Sequence, residues 1–335
     1  MNRGSHAMER LPFSLFAFAS CRAFGERIAA RLGVTLAAHE ERPFEDGEHK
    51  TRALASVRGH DVYVVQSLHG EPGISVNDKL CRLLLFIGAL KDASAARVCA
   101  VTPYLCYSRK DRRSQPRDPV STRYVAMLLE AVGVDRVVAI DIHNIAAFQN
   151  AFRCPTEHLE ANGMLVEWFA SQAGERPVVV VSPDAGGVRR AEDFRARLET
   201  RIGRPVDAAF AGKLRSGGIV TPKPIVGEVA GRCAVIVDDL IGTGTTLTRT
   251  AEDCRTLGAQ SVYAVATHGM FFDDAPVLLG GDALAGVAVT DTVPPWRVPA
   301  GPLKDKLAVL DSAPLFAEAI ARIHRGGSLT DLLRR

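Results

Sequence analysis

The sequence predicts an α/β fold of two related domains, each a mainly parallel sheet flanked by helices, and three observations carry that expectation. The chain has 335 residues, room for two domains of ordinary size. Its strand-like runs are continuous and β-branched, as in strands buried on both faces. One plan also occurs twice: a strand at 61–67, a loop, a helix at 78–91 and a strand at 95–103, then a strand from Ala234, a helix at 245–257 and a strand at 259–267.

The remaining elements follow in order. Strands at 136–141 and 177–182 each end at polar residues that can enter a site. A helix at 121–132 starts with Ser121 as cap behind Pro119 and carries Tyr124, Val125, Leu128 and Leu129 as its apolar face. Pro294, Pro295, Pro299 and Pro302 punctuate a loop, after which 307–310 reads as a strand and 314–325 as a helix. The expected divisions are 8–155, 156–309 and a terminal segment 310–335, with residues 1–7 outside the fold argument.

Composition narrows the function. With 41 basic and 38 acidic residues the formal charge is +3, too small for a nucleic-acid surface, so local basic clusters answer local anions. Seven scattered cysteines without a Cys-x-x-Cys pair fit reduced, structural thiols and a cytoplasmic protein. No run approaches the ~18 apolar residues of a membrane span, and no signal peptide is evident. The expectation is a soluble protein with neither nucleic-acid nor membrane partners.

The most informative segment is 234–247, where an apolar strand delivers Asp238 and Asp239 and then Gly242-Thr243-Gly244-Thr245-Thr246 opens a helix. The glycines let backbone approach a phosphate, the helix-start N–H groups point at it, and the threonines add hydroxyl donors. The two carboxylates can accept hydrogen bonds from the vicinal hydroxyls of a ribose. Residues 109–117 hold four Arg and one Lys, a density that calls for a polyphosphate counterion. At two further strand ends stand His143 and Asp184; one carboxylate plus substrate phosphates suits Mg²⁺, with Asp184 as anchor and His143 as direct or water-mediated partner. No Gly-x-x-x-x-Gly-Lys-Ser/Thr phosphate loop occurs.

Together these motifs resemble those of the ribose-phosphate diphosphokinase family, over nearly the whole chain from Leu15 onward. The resemblance implies two domains of the type I phosphoribosyltransferase fold, with the last helix returning to the N-terminal one. It implies transfer of the β,γ-diphosphoryl group of ATP to the 1-hydroxyl of ribose 5-phosphate, giving 5-phosphoribosyl 1-diphosphate and AMP with Mg²⁺, for nucleotide biosynthesis. On that pattern Phe44, Asp46 and Glu48 form the nucleotide loop, Arg109 and Lys110 bind ATP, and Asp238, Asp239, Thr243, Gly244, Thr245 and Thr246 hold ribose 5-phosphate. Lys110 stands where the family has Gln, and Ala185 where it frequently has His. Lys213 and Arg215, in an expected mobile loop 212–218 before a short strand, would close over the transferring group and stabilise its charge. The family often lends the nucleotide loop to a neighbouring subunit, which implies a dimer or hexamer. A phosphoribosyltransferase that consumes phosphoribosyl diphosphate, or a catalytically weak regulatory homologue, are the alternatives.

Overall fold

Five parallel strands carry the first part of the chain in the computed structural model, which describes residues 11–216 and 219–333. In chain order these residues form β1 (Phe13–Ala17), α1 (Arg22–Leu32), β2 (His39–Pro43), β3 (His49–Ala53), β4 (Asp61–Val65), α2 (Val76–Asp92), β5 (Arg97–Thr102), α3 (Ser121–Ala131), β6 (Arg136–Ile140), α4 (Ile145–Ala151) and β7 (Thr156–Leu159). The sheet order is β1-β4-β5-β6-β7, every pair parallel; all but the edge strand β7 are buried almost throughout because helices cover them. On one face Phe16 and Phe18 meet Phe86 of α2 edge-on, within a core that includes Leu83, Ile87, Val125, Leu129 and Phe148. The antiparallel hairpin β2–β3 stands apart from the sheet and packs by β3 on α2.

The second part runs α5 (Asn162–Ala173), β8 (Val178–Ser182), α6 (Val188–Ile202), β9 (Asp207–Ser216), β10 (Ile219–Val226), β11 (Cys233–Ile241), α7 (Thr245–Thr256), β12 (Ser261–Gly269), α8 (Ala275–Gly280), β13 (Gly286–Thr290), α9 (Pro302–Lys306) and β14 (Leu307–Leu310). Its sheet order is β10-β9-β8-β11-β12-β13-β14, parallel except for the β9–β10 pair. A second core, including Val179, Ile236, Leu247, Ala251, Val262 and Val287, lies beneath α7. Both α/β sheets answer the expected fold class.

After β14 come α10 (Ala313–Arg325) and α11 (Thr330–Leu333). The chain divides into two compact units: one runs up to Leu159 and resumes from Ala313, and the other is Glu160–Ser312. In the first, α10 packs on α1, with Phe316 edge-on to Phe24. His324 seats its Nδ1 2.8 Å from Oδ2 of the buried Asp61, which also accepts from Arg97 (2.7 Å) and the Tyr63 hydroxyl (3.1 Å). Among the described residues no helix is long and apolar enough to cross a membrane.

Two local expectations change. In α3, Val125 and Leu129 are buried as expected, but Tyr124 and Leu128 are exposed; Thr122 and Ala126 complete the buried face. Ser121 does not cap, because Val120 holds the cap position without a side-chain bond; Thr122 ties the helix start to the preceding loop, its hydroxyl lying 2.9 Å from the Tyr107 carbonyl and 3.2 Å from that of Lys110. The backbone around Lys213 is also paired, with Lys213 opposite Pro222 and Arg215 opposite Val220. A Gly-Gly pair between two β-compatible runs is a hairpin signal, and 217–218 themselves lie outside the described residues.

Phe316 is wholly buried in the α1–α10 contact, so Phe316→Ala should lower the unfolding free energy of its unit by about 3 kcal/mol, read from denaturant melts.

Candidate active site

In the second unit the site grows from a difference in strand length. Pairing of β11 with β8 stops at Ile236, while pairing with β12 continues to Ile241. Asp238 and Asp239 therefore lie inside the strand, yet on the stretch where one neighbour has turned away. Here, at the carboxyl end of a parallel sheet, open α/β folds bind ligands.

The strand feeds directly into α7. Gly244 occupies its N-cap with φ 77°, and a Cβ there would sit 3.0 Å from the Leu279 side chain, so backbone conformation and space both favour glycine. No side chain caps α7, and its first backbone bond is Thr248 N–H to Gly244 C=O. The amides of Thr245, Thr246 and Leu247 consequently lack intrahelical acceptors. The hydroxyls of exposed Thr243 and Thr245 stand 3.2 Å apart beside them. The corresponding helix of the first unit is closed: at α2, Ser75 and Asp78 form a reciprocal capping box. Of these two repeated helix starts, the one at α7 is open to an anion.

Asp238 and Asp239 share a cation. Arg190, in the first turn of α6, places Nη1 3.2 Å from Asp238 Oδ1 and Nη2 3.5 Å from Asp239 Oδ2. Asp238 Oδ1 also accepts from the Asp239 amide at 2.8 Å. Burial and the neighbouring Asp239 carboxylate nevertheless hold the Asp238 carboxyl well above the usual range, with Arg190 working against the rise. Asp184 follows β8, and its Oδ1 accepts from the amides of Gly186 (3.0 Å) and Gly187 (3.1 Å). Those bonds fix an oriented hard oxygen donor of the kind Mg²⁺ takes. Lys213 and Arg215 are placed by backbone only, two residues apart on β9.

In the first unit a basic loop follows β5. Asp118 is its internal hub: its Oδ2 accepts from Lys110 Nζ (2.5 Å), the Gln115 amide (2.9 Å) and Ser114 through both hydroxyl and amide. The Lys110 ammonium and these amides pull the Asp118 carboxyl down to about 2. Lys110 thus spends its charge inside the loop. Arg109, Arg112 and Arg117 are exposed and, among the described residues, have no ion-pair partner.

Asn144 joins this loop to the turn after β6. Its Nδ2 donates to Asp111 Oδ2, and its Oδ1 caps α4 by accepting from the Ala147 amide. Beside it, Asp141 adopts φ 42°, rare for a non-glycine residue, and His143 is exposed. The Ile142 amide donates to His158 Nε2 at 3.2 Å, which requires that nitrogen unprotonated; burial lowers the His158 pKa in the same sense. At the tip of the β2–β3 hairpin Phe44 is exposed, with the Arg42 guanidinium 5.2 Å from its ring centre. Asp46 accepts from the Glu48 amide and shapes the turn.

The sequence reading did not find Arg190, His158 or the Asn144–Asp111 tie. Arg190 had a signal, since it sits three residues past Gly187 where a helix start faces the strand ends. Choosing it over Arg189 needs the helix phase. The seven cysteines are free, and burial raises the thiols of Cys21, Cys99, Cys106, Cys233 and Cys254, which makes them inert packing groups.

Comparison with known proteins gives a consistent result. Residues 13–133 match the N-terminal domain of ribose phosphate pyrophosphokinase, 155–273 the phosphoribosyl transferase domain and 218–334 the phosphoribosyl synthetase-associated domain. A ribose-phosphate pyrophosphokinase of Caldanaerobacter subterraneus subsp. tengcongensis is 40% identical over 306 residues, 91% of this chain and 92% of that protein. One from Fusobacterium nucleatum is 38% identical over 316 residues, 92% and 93% of the two chains. The crystal structure of phosphoribosylpyrophosphate synthetase from Mycobacterium smegmatis superposes with a TM-score of 0.85 at 35% identity, covering 94% of this chain and all of that one.

The raised Asp238 carboxyl has a stability consequence. Its folded pKa exceeds its unfolded one, so the ionised group costs the fold above that window and costs nothing below about pH 4. Asp238→Asn should therefore stabilise the ligand-free protein at pH 7–8 by about 1 kcal/mol, the gain closing as pH falls toward 4 in thermal melts.

Proposed function

The chain belongs to the ribose-phosphate pyrophosphokinase family, and from that premise we propose that it transfers the β,γ-diphosphoryl group of ATP to the 1-hydroxyl of ribose 5-phosphate. The products are 5-phosphoribosyl 1-diphosphate and AMP, and the product feeds nucleotide biosynthesis. The observation that carries this reading is the open α7 start close behind the paired carboxylates, a phosphate seat and a diol seat within the single stretch 238–246.

Thr243, Gly244, Thr245 and Thr246 take the 5-phosphate through amides and hydroxyls. Asp238 and Asp239 accept from the ribose hydroxyls, which fixes the sugar and directs its 1-hydroxyl. On the nucleotide side Arg109 and the neighbouring unpaired arginines take the triphosphate, Phe44 stacks on the base, and Asp46 and Glu48 accept from its donors. Lys110 supports that loop through Asp118 rather than by direct contact. Asp184 would anchor Mg²⁺, with His143 as direct or water-mediated partner, and the bound ion would supply neutralisation of phosphate charge. Lys213 and Arg215 stabilise the charge that develops on the transferring group.

The nucleotide loop lies at the exposed tip of a hairpin, a place suited to serving a second copy of the chain, so a dimer or hexamer is the working assembly. Free thiols fit a cytoplasmic setting.

AMP formation should require ATP, ribose 5-phosphate and Mg²⁺ together. Lys213→Ala and Arg215→Ala should each lower kcat about a hundredfold or more while leaving the ribose 5-phosphate KM near its original value. Wild-type-like turnover in both would remove the diphosphokinase reading. Arg109→Ala should instead raise the ATP KM, measured by the same assay at several salt concentrations.

A further inference from the structure

We propose that Arg190 is the positioning residue of the ribose seat: its forked guanidinium favours ionisation of the Asp238–Asp239 pair and spaces it to accept two neighbouring hydroxyls of the sugar. The inference rests on the reading of this site as the ribose 5-phosphate seat.

The need arises from the pair itself. Two carboxylates on consecutive residues near the end of a buried strand repel each other and lose hydration, and the cheapest relief is to keep a proton. A protonated carboxyl donates where the sugar hydroxyl also has a proton to give, so the pair would lose part of its acceptor capacity. Asp239 is buried and Asp238 partly so, which leaves little water to do the neutralising. Arg190 reaches both, one terminal nitrogen to each carboxylate. A lysine ammonium is a single point charge and lacks that fork.

Position strengthens the assignment. Arg190 comes from α6, whose start is set by Gly186 and Gly187 and by the Asp184 carboxylate that receives their amides. The same turn that presents Asp184 therefore fixes the cation serving β11. Among the described residues, the charged groups that shift Asp238 most are Asp239 from its own strand and Arg190 from α6. Removing the guanidinium weakens the opposition to burial and like-charge repulsion, although the Asp239 amide still donates to Asp238, and the pair should then retain its proton to higher pH.

The test is the pH profile of kcat/KM for ribose 5-phosphate in Arg190→Met and Arg190→Lys. In the methionine variant the acidic limb should move up by about one pH unit, with KM about tenfold higher at neutral pH and the loss shrinking as pH rises. The lysine variant should keep most of the wild-type limb while binding the sugar phosphate more weakly. A loss of equal size at every pH, with an unmoved limb, would mean that Arg190 merely packs and would overturn the proposal. Calorimetric titration of ribose 5-phosphate across the same pH range gives the answer without turnover, and for whichever variant folds. It also separates two failures: sugar-phosphate binding without AMP formation by the wild type sinks the proposed reaction alone, whereas synthesis with an unmoved limb sinks only the role of Arg190.

Discussion

Repulsion between Asp238 and Asp239 is the constraint around which the second unit is arranged. Two adjacent carboxylates cannot both be ionised inside a sheet without help, and help comes from three directions. Because β8 stops pairing at Ile236, the acids stand on an opened stretch of strand. The Asp239 amide turns onto the Asp238 carboxylate, and Arg190 spans both. Next along the chain lies the uncapped start of α7, whose amides carry partial positive charge. An acceptor pair and a donor cradle separated by three residues suit a ligand that offers hydroxyls at one end and a phosphate at the other, which a sugar phosphate does.

The first unit uses the same strand, loop and helix for a different purpose. At α2 the Asp78 carboxylate and Ser75 hydroxyl satisfy the helix start, so the place a phosphate could take is filled by the protein's own side chains. Its anion-seeking charge has moved one strand along, to the loop after β5. There Asp118 gathers Lys110, Ser114 and Gln115 into a rigid turn and leaves Arg109, Arg112 and Arg117 facing out. One acid consumed internally thus keeps three arginines available.

Residues with strong local preference were legible in the sequence. Val235, Ile236 and Val237 announce a buried strand, Gly244 marks a left-handed turn that favours glycine, and the repeated plan exposes the two sheets. Groups defined by partners far along the chain were not. Lys110 reads as a cation for nucleotide, yet its role depends on Asp118 eight residues later. Leu128 reads as core because it keeps helical spacing with Tyr124, but the phase of α3 turns both outward. Arg190 meets its carboxylates across 48 positions, a distance no local pattern spans. The loop 212–218 was expected from the family resemblance, whereas the pairing of Lys213 opposite Pro222 and Arg215 opposite Val220 depends on partners across a hairpin.

The two charged features also differ in how solvent acts on them, and that difference separates capture from positioning. The arginines after β5 are exposed, so their attraction for a polyphosphate reaches outward over roughly a Debye length, ~8 Å at physiological salt, and weakens as salt rises. Arg190 and the Asp238–Asp239 pair are largely withdrawn from water, so salt screens them far less. Exposed, unpaired charge serves encounter; half-buried, paired charge serves alignment. A reaction that brings a highly charged nucleotide to a neutral hydroxyl needs both, because the nucleotide must be drawn in against its hydration while the hydroxyl must be aimed by hydrogen bonds alone. The division of the chain into one unit with outward arginines and another with an internally neutralised acid pair matches those unequal demands.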